Sequence, residues 1–264
     1  MIAKYDKIGI NYDLTRTADD YLVNQFKLLL NLKEDGTYLD IGCGTGNYTN
    51  GVYREHLNFI GVDPSIEMLS IAKKRNPQIN WILGSAESLS LNDKSVEGVF
   101  GCMTIHHWSS LNDGFSELHR VLKGNGSMVI FTSTAEQMKN YWLNHYFPKM
   151  MSDSIKQMPA FSDIESALVK NGFAISEKNI YNIDNNLKDQ FLYCGKNNPK
   201  IYLNQSVRKG ISSFASLAYQ AEVKSGLLQL ESDINSQKID EIIDSYKNDL
   251  GDYLFTVLTP VKQE

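Results

Sequence analysis

Cysteine is scarce: Cys43, Cys102 and Cys194 lie far apart, with no C-x-x-C spacing. Neither a disulfide framework nor a zinc site follows from such a set, and a reducing, cytoplasmic setting is the default. No cluster of Lys and Arg interrupts a chain whose formal net charge is −5. Without a basic stripe to track phosphates, no nucleic-acid partner is expected. No run of about 18 apolar residues occurs, so no membrane span is expected. Residues 1–7 lack the apolar stretch of a signal peptide. Internal repeats and low-complexity linkers are missing too. What is present is a chain of 264 residues, 42% hydrophobic and 11% aromatic, enough for one large domain or a domain plus a lid.

Hydrophobic periodicity divides the chain. Residues 18–32 read as an amphipathic helix, with Tyr21, Leu22, Phe26, Leu29 and Leu30 at helical spacing. Short apolar strands are expected at about 37–41, 58–62, 80–83, 96–103 and 127–132. Helices are expected between them, at about 46–54, from Pro64-Ser65 through Arg75, and over 112–122. Proline suits the first helical position, and Gly124-Asn125-Gly126 reads as a turn. The run at 96–103 is nearly all apolar, as a strand buried on both faces must be. Residues 135–158 are irregular to helical. A helix with Ser162 as its N-cap and Gly172 at its end precedes a sixth strand over 173–181. A last strand follows at 252–259.

This alternation argues an α/β protein with a doubly wound, seven-stranded, mostly parallel sheet. A helical lid is inserted before the last strand. The expected divisions are an N-terminal arm and first helix over 1–33, an α/β core over 34–186, the lid over 187–250, and the final strand over 251–264.

The first strand runs into Asp40-Ile41-Gly42-Cys43-Gly44-Thr45-Gly46, and Asp63 closes the second. Such a βαβ unit binds a nucleoside. A dinucleotide fold uses G-x-G-x-x-G and aims a helix N-terminus at a pyrophosphate. Here the glycines fall at 42, 44 and 46, and Asp40 would repel a pyrophosphate while attracting an ammonium or sulfonium. S-adenosylmethionine fits: it carries a cationic sulfur, an amino-acid tail and a ribose, but no phosphate. A nicotinamide oxidoreductase is disfavoured by the same spacing.

Three further motifs join the glycine turn: Gly61-Val62-Asp63-Pro64-Ser65-x-x-Met68, Gly84-Ser85-Ala86-Glu87-Ser88-Leu89, and Glu117-Leu118-x-Arg120-Val121-Leu122-Lys123-Gly124-x-Gly126. On these four the chain resembles the class I S-adenosylmethionine-dependent methyltransferases, of small-molecule type. The resemblance covers about 1–133 closely, and the final strands. It implies a Rossmann-like methyltransferase fold and S-adenosylmethionine as cofactor. It also implies residue roles. Gly42, Gly44 and Gly46 let the backbone approach the ligand. Asp40 faces the ligand's ammonium, directly or through water, and Asp63 accepts the two ribose hydroxyls. Pro64 and Met68 pack on the adenine, and Ala86 meets its edge. Where the family often has Asp, this chain has Ser85, so either Ser85 or Glu87 accepts from the adenine amino group. Arg16 lies on an arm that, with Tyr5 and Tyr12, resembles a cofactor lid, and is a candidate for the methionine carboxylate.

The fourth strand ends Gly101-Cys102-Met103-Thr104-Ile105-His106-His107-Trp108. Ligands of open α/β sheets bind at the carboxyl ends of strands, which puts Met103, His106 and His107 beside the methyl group. Either histidine could act as general base; alternatively one packs structurally and Trp108 caps the pocket. Metal binding by the pair is disfavoured, because adjacent side chains point apart at a strand end and no carboxylate trio accompanies them. Alignment supplies much of the rate of methyl transfer, so a base is optional. In the lid, Arg208 and Lys209 are either anion ligands or a solvated helix start. The methionines of 138–158 are either pocket lining or core.

The expected function is methyl transfer to oxygen, nitrogen or carbon of a small molecule. The alternatives are methylation of tRNA or another macromolecule, or a non-catalytic cofactor-binding partner subunit. The acceptor's identity and the oligomeric state are not readable from sequence.

Overall fold

The computed structural model describes residues 15–261; Tyr5 and Tyr12 lie outside them. Helix α1 (Asp20–Leu30) starts where Asp19 accepts from the N–H groups of Tyr21 and Leu22, and it buries Leu22, Val23, Phe26 and Leu30. Then come β1 (Thr37–Ile41), α2 (Asn47–Val52), β2 (Asn58–Asp63), α3 (Ile66–Arg75), β3 (Asn80–Leu83), β4 (Val96–Cys102), a short 3₁₀ turn (Ile105–His107), α4 (Leu111–Val121) and β5 (Leu122–Thr132). Three short helices, α5 (Ala135–Lys139), α6 (Leu143–Tyr146) and α7 (Pro148–Lys156), lead to α8 (Phe161–Lys170) and β6 (Phe173–Tyr181). A second 3₁₀ turn (Pro199–Leu203) and helices α9 (Gln205–Gly210), α10 (Ser212–Ser216), α11 (Gln220–Asn235) and α12 (Lys238–Ser245) separate β6 from β7 (Tyr253–Pro260).

The seven strands form one sheet in the order β3-β2-β1-β4-β5-β7-β6. All neighbours are parallel except β7, which runs antiparallel to both β5 and β6. Successive strand residues face opposite sides, and two cores result. Tyr38, Phe100, Phe131 and Phe255 join Phe26 of α1 and the cover helices on one face. Leu39, Val99, Ile130 and Leu258 meet Phe115 and Leu118 of α4 and Ile164 and Leu168 of α8 on the other. Each such fully buried side chain contributes roughly 1.5–3 kcal/mol of transfer free energy. The strand order reverses between β1 and β4, so the carboxyl ends of those strands border a crevice.

Three local expectations change. Pro64 is not the first residue of α3: Ser65 is its N-cap, accepting from Met68 N–H, and Pro64 stands before it. Helix α8 is capped by Ala160, with no side-chain bond, and Ser162 lies inside the helix. Strand β5 begins at Leu122, not 127; Val96 pairs with Leu122 and Gly98 with Ser127, so Gly124-Asn125-Gly126 is an irregularity within the strand.

Candidate active site

The loop between β1 and α2 is left-handed at all three glycines, with φ of +72°, +54° and +74° at Gly42, Gly44 and Gly46. Their surroundings differ. A Cβ on Gly42 would lie 1.9 Å from Thr104 Oγ1, and one on Gly46 would lie 2.5 Å from the Trp81 ring, whereas one on Gly44 would meet nothing within 4 Å. Gly42 and Gly44 line the large cavity at the carboxyl edge of the sheet; Gly46 does not. The loop is held from behind. Arg75 of α3 donates to the carbonyl and hydroxyl of Thr45 and to Asn47, while Asn47 donates to the Arg16 carbonyl at 2.5 Å.

Asp40 also stands back from the cavity wall. It is 2% exposed, and its Oδ2 accepts from Thr49 Oγ1 at 2.6 Å. Burial pushes its carboxyl up to about 7; the Thr49 bond opposes this and the nearby Asp63 adds to it. Asp63 is on the wall. Its Oδ2 accepts from Gly44 N–H at 2.8 Å and its Oδ1 from Ser65 N–H at 2.9 Å. These two bonds fix the carboxylate's orientation on the wall.

Pro64, Met68, Ser85, Ala86 and Glu87 continue the wall beside Asp63. Met68 and Ala86 are buried. Glu87 Oε1 accepts from Ser109 N–H at 2.6 Å and from the Ser109 hydroxyl at 2.9 Å. Burial alone would raise the Glu87 carboxyl, but hydrogen bonds from its own backbone, from Ser85 and from Ser109 outweigh that and hold it below its usual value.

At the end of β4, Met103 takes a left-handed backbone, φ +50°, while its N–H donates to the Phe131 carbonyl at 2.7 Å. A non-glycine residue there is strained by about 1–2 kcal/mol, and Met103 lines the cavity. His106 and His107 do not point apart. They share the 3₁₀ turn, their ring centroids are 3.9 Å apart, and both line the cavity, His107 exposed and His106 half-buried. The expected strand-end geometry fails because the chain coils immediately after Thr104. Among the described residues, no group of three or more His, Cys, Asp or Glu is placed to hold a metal. Trp108 lines the cavity and packs edge-on against Phe115 of α4.

Arg16 reaches the wall, but its guanidinium is engaged: Nε and Nη2 donate to Asp189 at 2.5 and 3.1 Å. Asp189 is 1% exposed and also accepts from Tyr48 OH at 3.0 Å. Tyr21 stacks on Tyr181 and is off the cavity wall. Arg208 donates to the Tyr202 carbonyl, and neither it nor Lys209 lines the cavity. The methionines divide: Met138 and Met158 are on the wall, while Met150 and Met151 are core.

The half of the cavity beyond the histidines has two sources. Thr132 ends β5 and Ser133 follows it, Met138 belongs to α5, Ser154 to α7, and Gln157 and Met158 follow it. Phe191, Leu192, Ile211, Ser213 and Leu217 come from the connection between β6 and β7, and Tyr253 from β7 itself. The cover is therefore built from both connections that flank β6, not from one insertion. Sequence reasoning offered Met138 and Met158 as pocket lining or core and missed the rest of these residues. Of those missed, Thr132 and Ser133 carried a signal, their place at the carboxyl end of a strand. The empty space between the walls, mouth included, is about 1380 Å³.

A methyltransferase domain family matches residues 39–130. A solved structure described as a methyltransferase from an antibiotic biosynthesis pathway of Anabaena variabilis superposes with a TM-score of 0.81 at 35% identity, covering 93% of this chain and 99% of that one. The malonyl-[acyl-carrier protein] O-methyltransferase of a Marinomonas species is 30% identical over 51% of this chain and 52% of its own length. The ubiquinone/menaquinone biosynthesis C-methyltransferase UbiE of Campylobacter jejuni is 28% identical over 57% and 72%. The chain spans about half the length of the curated relatives it matches first. The Anabaena protein is matched along nearly its whole length and shares the fold, and the chain belongs to the class I S-adenosylmethionine-dependent methyltransferases.

Proposed function

We propose that the chain transfers a methyl group from S-adenosylmethionine to an oxygen, nitrogen or carbon atom of a small molecule held beneath its helical cover. The observation that carries this reading is the single cavity wall that joins the Gly44–Asp63 loop to the covered half. The residues present fit the cofactor. Asp63 stands on the wall with two carboxylate oxygens, the acceptor pair that two adjacent hydroxyls call for. Gly44 offers open space for close approach, and Met68 and Ala86 give an apolar seat for a base. Glu87 and Asp63 make this half acidic, which suits a ligand without phosphate.

When bound, S-adenosylmethionine supplies an electrophilic methyl carbon on a cationic sulfur. The chain's own residues do the rest. Asp63 and the β1–α2 loop fix the nucleoside end. Met103 and Thr104, on the coil after β4, set the floor between the two halves of the cavity. His106 or His107, at the edge of that floor, can take a proton from an acceptor hydroxyl or amine. The cover from α5, α7 and the β6–β7 connection excludes water and fixes the acceptor in line, which is the larger contribution.

The test is calorimetric titration with S-adenosylmethionine and S-adenosylhomocysteine. Wild type should bind both. Asp63→Ala should weaken binding at least tenfold, since hydrogen bonds to a charged group contribute about 1.5–3 kcal/mol. Folded wild type that binds neither ligand overturns the reading.

A further inference from the structure

We infer that the acceptor is an uncharged, predominantly apolar molecule, and that its subsite is formed by Met138, Met158, Phe191, Leu192, Ile211 and Leu217. This rests on the methyltransferase reading and goes beyond it, because it names the chemistry of the acceptor.

Charged side chains are few on the cavity wall. Among the described residues, the Asp, Glu, Lys and Arg side chains on its wall are Arg16, Asp63 and Glu87. Asp63 belongs to the nucleoside end. Glu87 is turned onto Ser109. Arg16, the one cation, is matched through two of its nitrogens by Asp189, itself bonded to Tyr48. Lys156, Lys188, Arg208 and Lys209, cationic residues that stand within three positions of this subsite in sequence, are off the wall.

Three hydroxyls of the covered half, those of Ser133, Ser154 and Ser213, are already bonded within the protein. Ser133 Oγ lies 2.7 Å from Tyr141 OH and 3.1 Å from the Asp252 carbonyl. Ser154 Oγ lies 2.9 Å from both the Met150 carbonyl and Ser213 Oγ. Beside the uncharged polar groups of Thr132, Gln157, Ser212 and Tyr253, that part of the wall offers two thioether side chains, an aromatic ring and three branched aliphatic groups. Methionine adapts to irregular apolar shapes. A carboxylate or phosphate placed there would lose its hydration and find no cation, and an ammonium would find no carboxylate; either loss is costly.

The experiment uses the full chain with and without saturating S-adenosylhomocysteine, and calorimetric titration with matched probes: 2-naphthol against 2-naphthyl phosphate and 2-naphthylmethylamine, and geraniol against geranyl monophosphate. The uncharged member of each set should bind at least tenfold tighter than its charged twins. Met158→Lys puts a cation on the wall and should bring 2-naphthyl phosphate to within tenfold of 2-naphthol. Leu217→Lys repeats the test if Met158→Lys does not fold. Equal or tighter binding of the phosphates or the amine by wild type overturns the inference, as does binding of none of the probes. Failure to bind S-adenosylhomocysteine is a separate result, which overturns the cofactor reading and leaves the probe comparison readable on its own.

Discussion

Two glycines of one loop do different work. Gly46 makes room for the Trp81 ring, and Gly44 leaves space open on the cavity wall. Both are left-handed, so alanine at either position costs about 1–2 kcal/mol in backbone strain. Gly46→Ala adds a collision 2.5 Å from Trp81, worth about 1–3 kcal/mol more as overpacking. Urea denaturation should therefore show the larger stability loss for Gly46→Ala. Titration with S-adenosylhomocysteine should show the larger affinity loss per unit of stability for Gly44→Ala. The same ranking in both measurements would contradict the division. Asp40 makes a second residue-scale prediction. Its carboxyl rises from an ordinary 3.8 to about 7 on folding, chiefly through burial. Below about pH 4 both states hold the proton. Between 4 and 7 the unfolded chain releases it while the folded chain keeps it, so stability falls through that window and levels off above it. The gap corresponds to roughly 4 kcal/mol at most. Asp40→Asn keeps an acceptor for Thr49 and lacks this titration. Relative to wild type it should gain stability between pH 5 and pH 8, and a difference that stays constant across that range would refute the assignment.

At the scale of elements, the connection from β3 to β4 carries Ser85, Ala86 and Glu87 to the cavity and has little structure of its own. Helix α4 staples it. Arg120 donates to the carbonyls of Leu89 and Leu91 and to Asp93 and Glu117, and Glu117 in turn accepts from Leu89 N–H. Arg120→Ala should cost about 1–2 kcal/mol, because the bonds are charge-assisted but half-exposed and screened. It should also raise amide exchange across 84–95 and weaken cofactor binding. A variant with the same exchange in that segment would show that the staple is ornamental. The Glu117–Arg120 motif was visible in the sequence, but its purpose was not, since the partners lie about 30 residues away in the chain. Other elements follow the same rule. The strands were legible because apolar runs and alternation are local. The start of β5 was not, because Gly124-Asn125-Gly126 reads as a turn until β4 is seen to pair on both sides of it. Ser162 resembles a cap, yet Ala160 is where the backbone turns extended, and Phe161 packs against the second core. The glycine-loop half of the candidate site was legible for the reason the strands were: it is a contiguous turn and two strand ends. The covered half gathers residues from 132 to 253 that meet only after the sheet is built.

At the scale of the whole molecule, the covered half and the segment after the glycine loop are joined through one carboxylate. Asp189 precedes Phe191 and Leu192 of the cavity wall and holds both Arg16 and Tyr48 of α2. Around it, Lys188 N–H donates to Asp19, Gln190 N–H to the Thr15 carbonyl, and Asn47 of the loop to the Arg16 carbonyl. Three segments distant in sequence, 15–20, 47–48 and 187–192, thus meet at a pair whose side chains are 13% and 1% exposed. Removing one partner of a buried pair typically costs about 3–5 kcal/mol, because the remaining charge loses its compensation, whereas replacing both with apolar groups of similar volume is often neutral. Asp189→Asn should therefore destabilise strongly, raise amide exchange in all three segments together, and weaken both S-adenosylhomocysteine and the apolar probes. Arg16→Met combined with Asp189→Leu should recover most of the stability, so that a double-mutant cycle gives a coupling well above the additive expectation. If the pair only decorates the surface of the cover, the single variant will change exchange in 187–192 alone and leave cofactor affinity as it was. If it couples the two halves, nucleoside binding will tighten the wall that receives the acceptor, and loss of Asp189 will separate the two.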